Sequence, residues 1–212
     1  MSIKIKIQQP RMPQSLPPAD FHEMKDSYLN MCIISDCSII GEEMNKVCFE
    51  QVIFKNVTFI DVSFRHIELI DVIFDKCNLS NTDFSDGIIH RVEFKNSKIL
   101  GLNLSEATLG NVLFQDCNAN LSSFGYADFK QVKYDSCSLR NADYYECKFN
   151  KVDFNLCDLN EANFTRTPLN GVDLSSCSFN QIIVSIEELD GCKVTTEQAI
   201  GFSRLMGLEI KE

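Results

Sequence analysis

Ten cysteines, three histidines and thirty acidic residues are the chemically competent side chains of this 212-residue chain. Taken alone, the cysteines suggest a metal centre or a disulfide framework. Nine of them, Cys32, Cys37, Cys77, Cys117, Cys137, Cys147, Cys157, Cys177 and Cys192, stand at multiples of five from one another, and Cys48 departs from that grid. The grid matches no zinc pattern, which needs two closely spaced ligand pairs. No metal or cofactor is expected, and the thiols read as small buried hydrophobes. Cys77, Cys117, Cys137, Cys157 and Cys177 are expected to stack in one column, with Ser97 filling its gap. So many unpaired thiols suit a reducing cytoplasm. His22, His66 and His90 are scattered, and there is neither a phosphate-cradling glycine loop nor a nucleophile elbow, so an enzyme is not expected.

The grid belongs to the whole chain. From Leu29 to Leu189 a bulky apolar residue recurs at every fifth position, thirty-three times without a slip, and fourteen of the sixteen phenylalanines sit in that series. A helix repeats near 3.6 residues and a strand at two, so a period of five fits neither and demands a stacked repeat. Two residues before each bulky position lies a small one, such as Val52, Val72, Cys117, Ala142 or Ala162. That spacing puts both side chains on one face of a short extended segment. The other two residues of each five are left to turn a corner. Such segments wind into a coil whose turns pair through the backbone at roughly 4.8 Å.

The local pattern reads Ala127-Asp128-Phe129, Ala142-Asp143-Tyr144, Ala162-Asn163-Phe164 and Val172-Asp173-Leu174. In this A(D/N)LXX signature the chain resembles the pentapeptide-repeat family, over about three quarters of its length. The resemblance implies an all-β fold, a right-handed quadrilateral β-helix with four pentapeptides per coil. It would have about eight coils and a length of roughly 40 Å. Three segments are expected: an extended amino-terminal tail and cap (1–28), the β-helix (29–189), and a carboxy-terminal capping helix and tail (190–212).

Both ends carry their own signals. The first eighteen residues alternate Ile3, Ile5 and Ile7 with polar residues, then place Pro10, Pro13, Pro17 and Pro18. This is an edge strand followed by extended, helix-excluding chain. An apolar stripe of outward residues, Ile33, Ile53, Ile73 and Leu113, offers the tail a place to lie along the rod. At the other end Thr195-Thr196-Glu197-Gln198 has capping-box spacing, followed by apolar residues at helical intervals up to Gly207. Val194, Gln198, Ala199, Met206, Gly207 and Leu208 also follow the carboxy-terminal pattern of the Qnr-type quinolone-resistance branch of the family, with Met206 in place of the usual Leu. That resemblance implies a homodimer joined through the carboxy-terminal segment, for which Phe202, Leu205, Met206, Leu208 and Ile210 are the candidates. It also implies a mimic of duplex DNA that binds DNA gyrase or topoisomerase IV. The unbroken register leaves no room for the projecting loops that many members carry, unless an insertion is a multiple of five residues hidden as repeat.

Charge supports a protein partner over a nucleic acid. The net charge is −10, and residues 29–189 hold 23 acids against 13 bases. A rod of that sign cannot neutralise phosphates, so direct nucleic-acid binding is not expected, and basic protein surfaces are its natural partners. The sequence has no apolar run long enough for a membrane span and no secretory signal. One face concentrates the acids: Asp83, Asp86, Glu106, Asp143 and Glu146 occur on it with no Lys or Arg between Arg65 and Arg166. These five are the candidate partner-binding residues. The competing reading is a solvated acidic surface that keeps the rod soluble, and a generic scaffold for an unrelated partner is the alternative function.

Overall fold

Pairing in steps of twenty residues defines the architecture. The computed structural model describes residues 5–24 and 26–209, and they wind into a right-handed quadrilateral β-helix. The strands are β1 (Tyr28–Ser35), β2 (Ser38–Ile40), β3 (Glu43–Asn45), β4 (Cys48–Lys55), β5 (Thr58–Ile60), β6 (Ser63–Arg65), β7 (Glu68–Asp75), β8 (Ile88–Lys95), β9 (Thr108–Gln115), β10 (Asp128–Asp135) and β11 (Lys148–Asn155). The seven long ones form a single parallel sheet in the order β1-β4-β7-β8-β9-β10-β11, and β2-β5 and β3-β6 form two short pairs. Register is in phase throughout: Tyr28 lies beside Cys48, Val92 beside Val112 and Val132 beside Val152.

Corners come from the backbone. At each step of five from Asp26 to Gly171 the second residue after the bulky position has a left-handed φ, although most of these residues are not glycine; Asp71 has φ 57° and Glu106 φ 60°. A non-glycine residue there costs roughly 1–2 kcal/mol. Coil-to-coil hydrogen bonds offset that cost, for the corner N–H of Asp86 donates to Ser105 (2.9 Å) and that of Glu106 to Gly125 (2.9 Å). The corners are therefore stable only as a stack.

Inside, the bulky residues form ring columns. Phe54, Phe74, Phe94, Phe114, Tyr134 and Phe154 stack with centroids 4.7–5.0 Å apart and planes within 7°. Phe124, Tyr144 and Phe164 stack likewise on the opposite face and meet the first column edge-on across the interior. The Tyr134 and Tyr144 hydroxyls are buried without a hydrogen-bond partner among the described residues. At the small inward position the thiols of Cys77, Cys117 and Cys137 donate weakly to the carbonyls of Phe54, Phe94 and Phe114 (3.3–3.4 Å), and the Ser97 hydroxyl faces the equivalent Phe74 carbonyl (3.5 Å) and donates more closely to that of Lys95 (2.7 Å). This explains why Cys and Ser alternate with Val and Ala there: a donor serves the turn carbonyl. Burial pushes the Cys77 and Cys147 thiols up to about 12.

Three expectations are corrected. Cys37 is exposed and Cys192 only half-buried, because the first and last coils lack a neighbour on one side; off-grid Cys48 is also half-buried. The ladder of long strands stops at Asn155, short of eight coils, since Pro168 occupies the position at which Lys148 donates to Ala127 and has no N–H to give. Beyond it the winding continues as isolated bridges, Asp158 with Ser178 and Asp173 with Lys193. The carboxy-terminal helix α1 (Thr196–Phe202) is also shorter than the periodicity suggested; Leu205 and Met206 lie in a following 3-10 turn (Ser203–Met206), which ends at Gly207 with φ 71°. Its capping box is present, with Thr195 and Gln198 bonding reciprocally.

Phe21 plugs the opposite end, stacked on Phe64 and edge-on to Phe49. The tail before it lies against the rod, bridged to Ile33 and bonded to Gln51, Asp71, Asn111 and Gln131.

Candidate interaction surface

Twenty-residue stacking places Asp86, Glu106, Tyr126, Glu146 and Arg166 at successive levels of one corner. All project from left-handed backbone, so their side chains radiate outward. The five predicted acids divide into two groups. Asp83 and Asp143 belong to the flat of the adjoining face and serve the rod itself: Asp83 Oδ1 accepts from Ser85 N–H (3.0 Å) and Asn103 Nδ2 (2.9 Å), and Asp143 Oδ1 accepts from Tyr145 N–H (3.2 Å) and Asn163 Nδ2 (2.8 Å). The other three stand on the corner. Asp86 is reached by Arg65 at 3.7 Å and Glu146 by Arg166 at 3.5 Å, while Glu106 has no ion-pair partner among the described residues. The two basic residues that bracket the acidic run in sequence thus fold back onto its ends. Pairs this exposed contribute about 0–1 kcal/mol each, so they leave the acids available to a competing cation.

Sequence reasoning missed Tyr126. It stands between Glu106 and Glu146, 56% exposed, with its ring edge-on to Tyr145 at 5.4 Å, and the Arg166 guanidinium lies over Tyr145 at 5.8 Å. Leu121 is also exposed, on the preceding corner of the winding. Aromatic residues within a charged rim are the usual composition of an interface centre. Column arithmetic could have found it, since Tyr126 is twenty residues from both Glu106 and Glu146.

The predicted dimer residues also divide. Phe202 packs against Phe179 (5.7 Å) and so covers its own rod, whereas Leu205, Met206 and Leu208 are exposed. Ile210 lies outside the described residues. Ile186, Leu189, Val194, Phe202 and Met206 line an apolar hollow of about 230 Å³ beside the helix. Among the described residues no group of three or more His, Cys, Asp or Glu is placed to hold a metal ion, and no helix is long and apolar enough to cross a membrane.

Residues 53–91 match the model of pentapeptide repeats in eight copies, and residues 87–164 match that of the pentapeptide repeat region. YisX of Bacillus subtilis (strain 168) is 49% identical over 209 residues, covering 98% of this chain and 99% of its own. The chain is a pentapeptide-repeat protein. Among solved members of this fold, trypsin-treated QnrB1, a plasmid-mediated fluoroquinolone resistance protein, aligns at TM-score 0.37 and 18% identity over 84% of this chain and 99% of its own. HetL, a pentapeptide-repeat protein involved in heterocyst differentiation regulation in a Nostoc cyanobacterium, aligns at 0.25 and 14% over 78% and 86%.

Proposed function

We propose that this pentapeptide-repeat protein is a non-catalytic interaction rod whose acidic corner engages a basic surface on a protein that handles DNA. A type II topoisomerase is the candidate partner, suggested by the carboxy-terminal sequence pattern. The observation that carries the reading is the outward stacking of Asp86, Glu106 and Glu146 along one edge of a rod with net charge −10. Carboxylates at multiples of a roughly 4.8 Å pitch form a row of negative charge on a straight edge, to which a phosphate-binding groove is complementary. Association through that row is steered by charge, which a Debye length of about 8 Å screens at physiological ionic strength.

Two assays test it. Purified protein added to a gyrase supercoiling reaction, with and without ciprofloxacin, should alter inhibition by the drug; an unchanged reaction at saturating protein rejects the topoisomerase assignment. Replacing Asp86, Glu106 and Glu146 together by Asn or Gln should weaken partner binding and flatten its salt dependence with the fold intact. Binding by that triple variant as tight and as salt-dependent as that of the unaltered protein rejects the acidic corner.

A second reading has its own support: exposed Tyr126, with Tyr145 edge-on to it, suits a partner unrelated to topoisomerases whose arginine would sit on the ring. The two readings separate on Tyr126→Ser, which spares a purely electrostatic association. Pairing of two copies through the hollow beside α1, with Leu205, Met206 and Leu208 at its centre, belongs to the same proposal. Light scattering of a chain ending at residue 194 measures it.

A further inference from the structure

The amino-terminal tail crosses the outside of the β-helix from its first level to its sixth. Pro17 and Ala19 pair with the edge of β1, the Pro17 carbonyl accepting from Ile33 N–H (2.9 Å) and Ala19 N–H donating to the Ile33 carbonyl (2.9 Å). From there the chain runs back along the corner at which every long strand bends. Arg11 N–H donates to Asp71 Oδ1 (2.8 Å) and its carbonyl accepts from Gln51 Nε2 (2.8 Å). Gln8 N–H donates to Asn111 Oδ1 (3.1 Å), and the Lys6 carbonyl accepts from Gln131 Nε2 (3.0 Å).

Each of these four bonds joins a rod side chain to the main chain of the tail, and the tail's Lys6, Gln8 and Arg11 remain exposed. Spacing explains how one chain satisfies several levels. Gln8 and Arg11, three residues apart, meet Asn111 and Asp71, two coils apart. Two coils rise about 9.6 Å, and three residues of polyproline II rise about 9.3 Å. The prolines at 10 and 13 hold the chain near that geometry. The rod is correspondingly adapted: Asp71 is 4% exposed and Asn111 6%, whereas the next corner in the winding, from Asp36 to Leu156, is exposed at every level. A buried carboxylate needs firm partners, and Asp71 has Arg91 in a two-pronged pair, with Nη2 to Oδ2 at 2.7 Å, as well as the tail N–H.

We propose that the corner defined by Gln51, Asp71, Asn111 and Gln131 is a binding site for extended, proline-containing peptide segments, read through their main chain. The protein's own tail is its resident occupant, and such a segment of a partner protein displaces it. Side chains that grip only N–H and C=O groups three residues apart select backbone shape over sequence. The site lies on a different corner from the acidic row and is independent of it.

A protease recognition sequence inserted between Ser15 and Leu16 permits the tail to be cut from the folded chain. Fluorescence anisotropy then follows a labelled peptide of residues 1–15. Saturable binding is expected, with affinity kept within about tenfold when the side chains are shuffled around fixed Pro10 and Pro13. N-methylation at Gln8 and Arg11 removes both donors and should weaken binding by at least about tenfold. Absence of saturable binding, or a shuffled peptide as weak as the methylated one, overturns the site. In the uncut chain the Gln8 and Arg11 amides should exchange slowly with solvent and faster under excess unlabelled peptide. Exchange that the peptide leaves unchanged overturns displacement even if cutting harms the rod.

Discussion

The corner under the tail and the corner that carries Asp86, Glu106 and Glu146 occupy the same place in the five-residue repeat and share the same left-handed backbone, yet their chemistry differs. Under the tail, Asp71 and Arg91 form a pair shielded from water. On the open corner, Arg65 and Arg166 approach their acids at 3.7 and 3.5 Å through solvent. The repeat determines where a side chain leaves the backbone, and what covers it determines its energetic weight. The same aspartate type is structural in one place and free to engage a partner in the other.

The comparison can be calibrated and then attacked. Phe114 lies in the core, in the middle of the ring column, and Phe114→Ala should cost about 3–5 kcal/mol in denaturant unfolding, against nearly nothing for Gln115→Ala; similar losses at both sites would invert the assigned inside and outside. Next comes Asp71→Ala, which strands Arg91 beneath the tail and should cost about 3 kcal/mol, while Glu106→Ala on the open corner should stay within about 0.5 kcal/mol. Matching losses at Asp71 and Glu106 would erase the distinction between covered and open corners.

Acid should separate the corners further. Burial pushes the Asp71 carboxyl up, but the Arg91 guanidinium and the Arg11 N–H outweigh it and hold the group below the ordinary carboxylate value. A lowered folded-state value means that its stabilisation is complete above the unfolded value of about 4 and is lost as pH falls through the lowered one. Amide exchange at Arg11 should therefore quicken below about pH 4, and a protection factor flat down to pH 2 would contradict that linkage. The smallest effect is on reactivity. With DTNB, exposed Cys37 should react first in the native protein, whereas Cys77 and Cys147 should wait for unfolding. Rapid labelling of Cys77 would show an open core.

Much of this was legible in the sequence because stacking is arithmetic. A strict period of five identifies the ring columns, and a coil of twenty identifies which residues neighbour one another, so Glu106 and Glu146 could be placed on one corner beside Asp86. Three things resisted that arithmetic. The pairing of Arg65 and Arg166 with the acids depends on long side chains reaching between levels, which column counting does not describe. The early end of the long-strand ladder rests on the missing N–H of Pro168, a single residue in an otherwise unbroken pattern. The hydrogen bonds of the tail join residues as far apart as Lys6 and Gln131 through main-chain groups that every residue carries, so side-chain identity gave no sign of them. The helix boundary failed for a local reason: apolar residues at helical spacing continue to Met206, but the α-helical bonds end at Phe202 and a tighter turn takes over.

Four pentapeptides to a coil also give the molecule a discrete rotational symmetry that its evolution can use. Deleting five residues at an exposed corner of the carboxy-terminal half would leave every ring inward and every N–H paired, yet would turn all that follows by a quarter revolution. Glu146 and Arg166 would then face a new direction relative to Asp86 and to the tail, while each later ring would stack on the column of the neighbouring face. Surface layout in such a rod is thus inherited in quarter-turn increments, and relatives with the same interior can present unrelated faces to their partners.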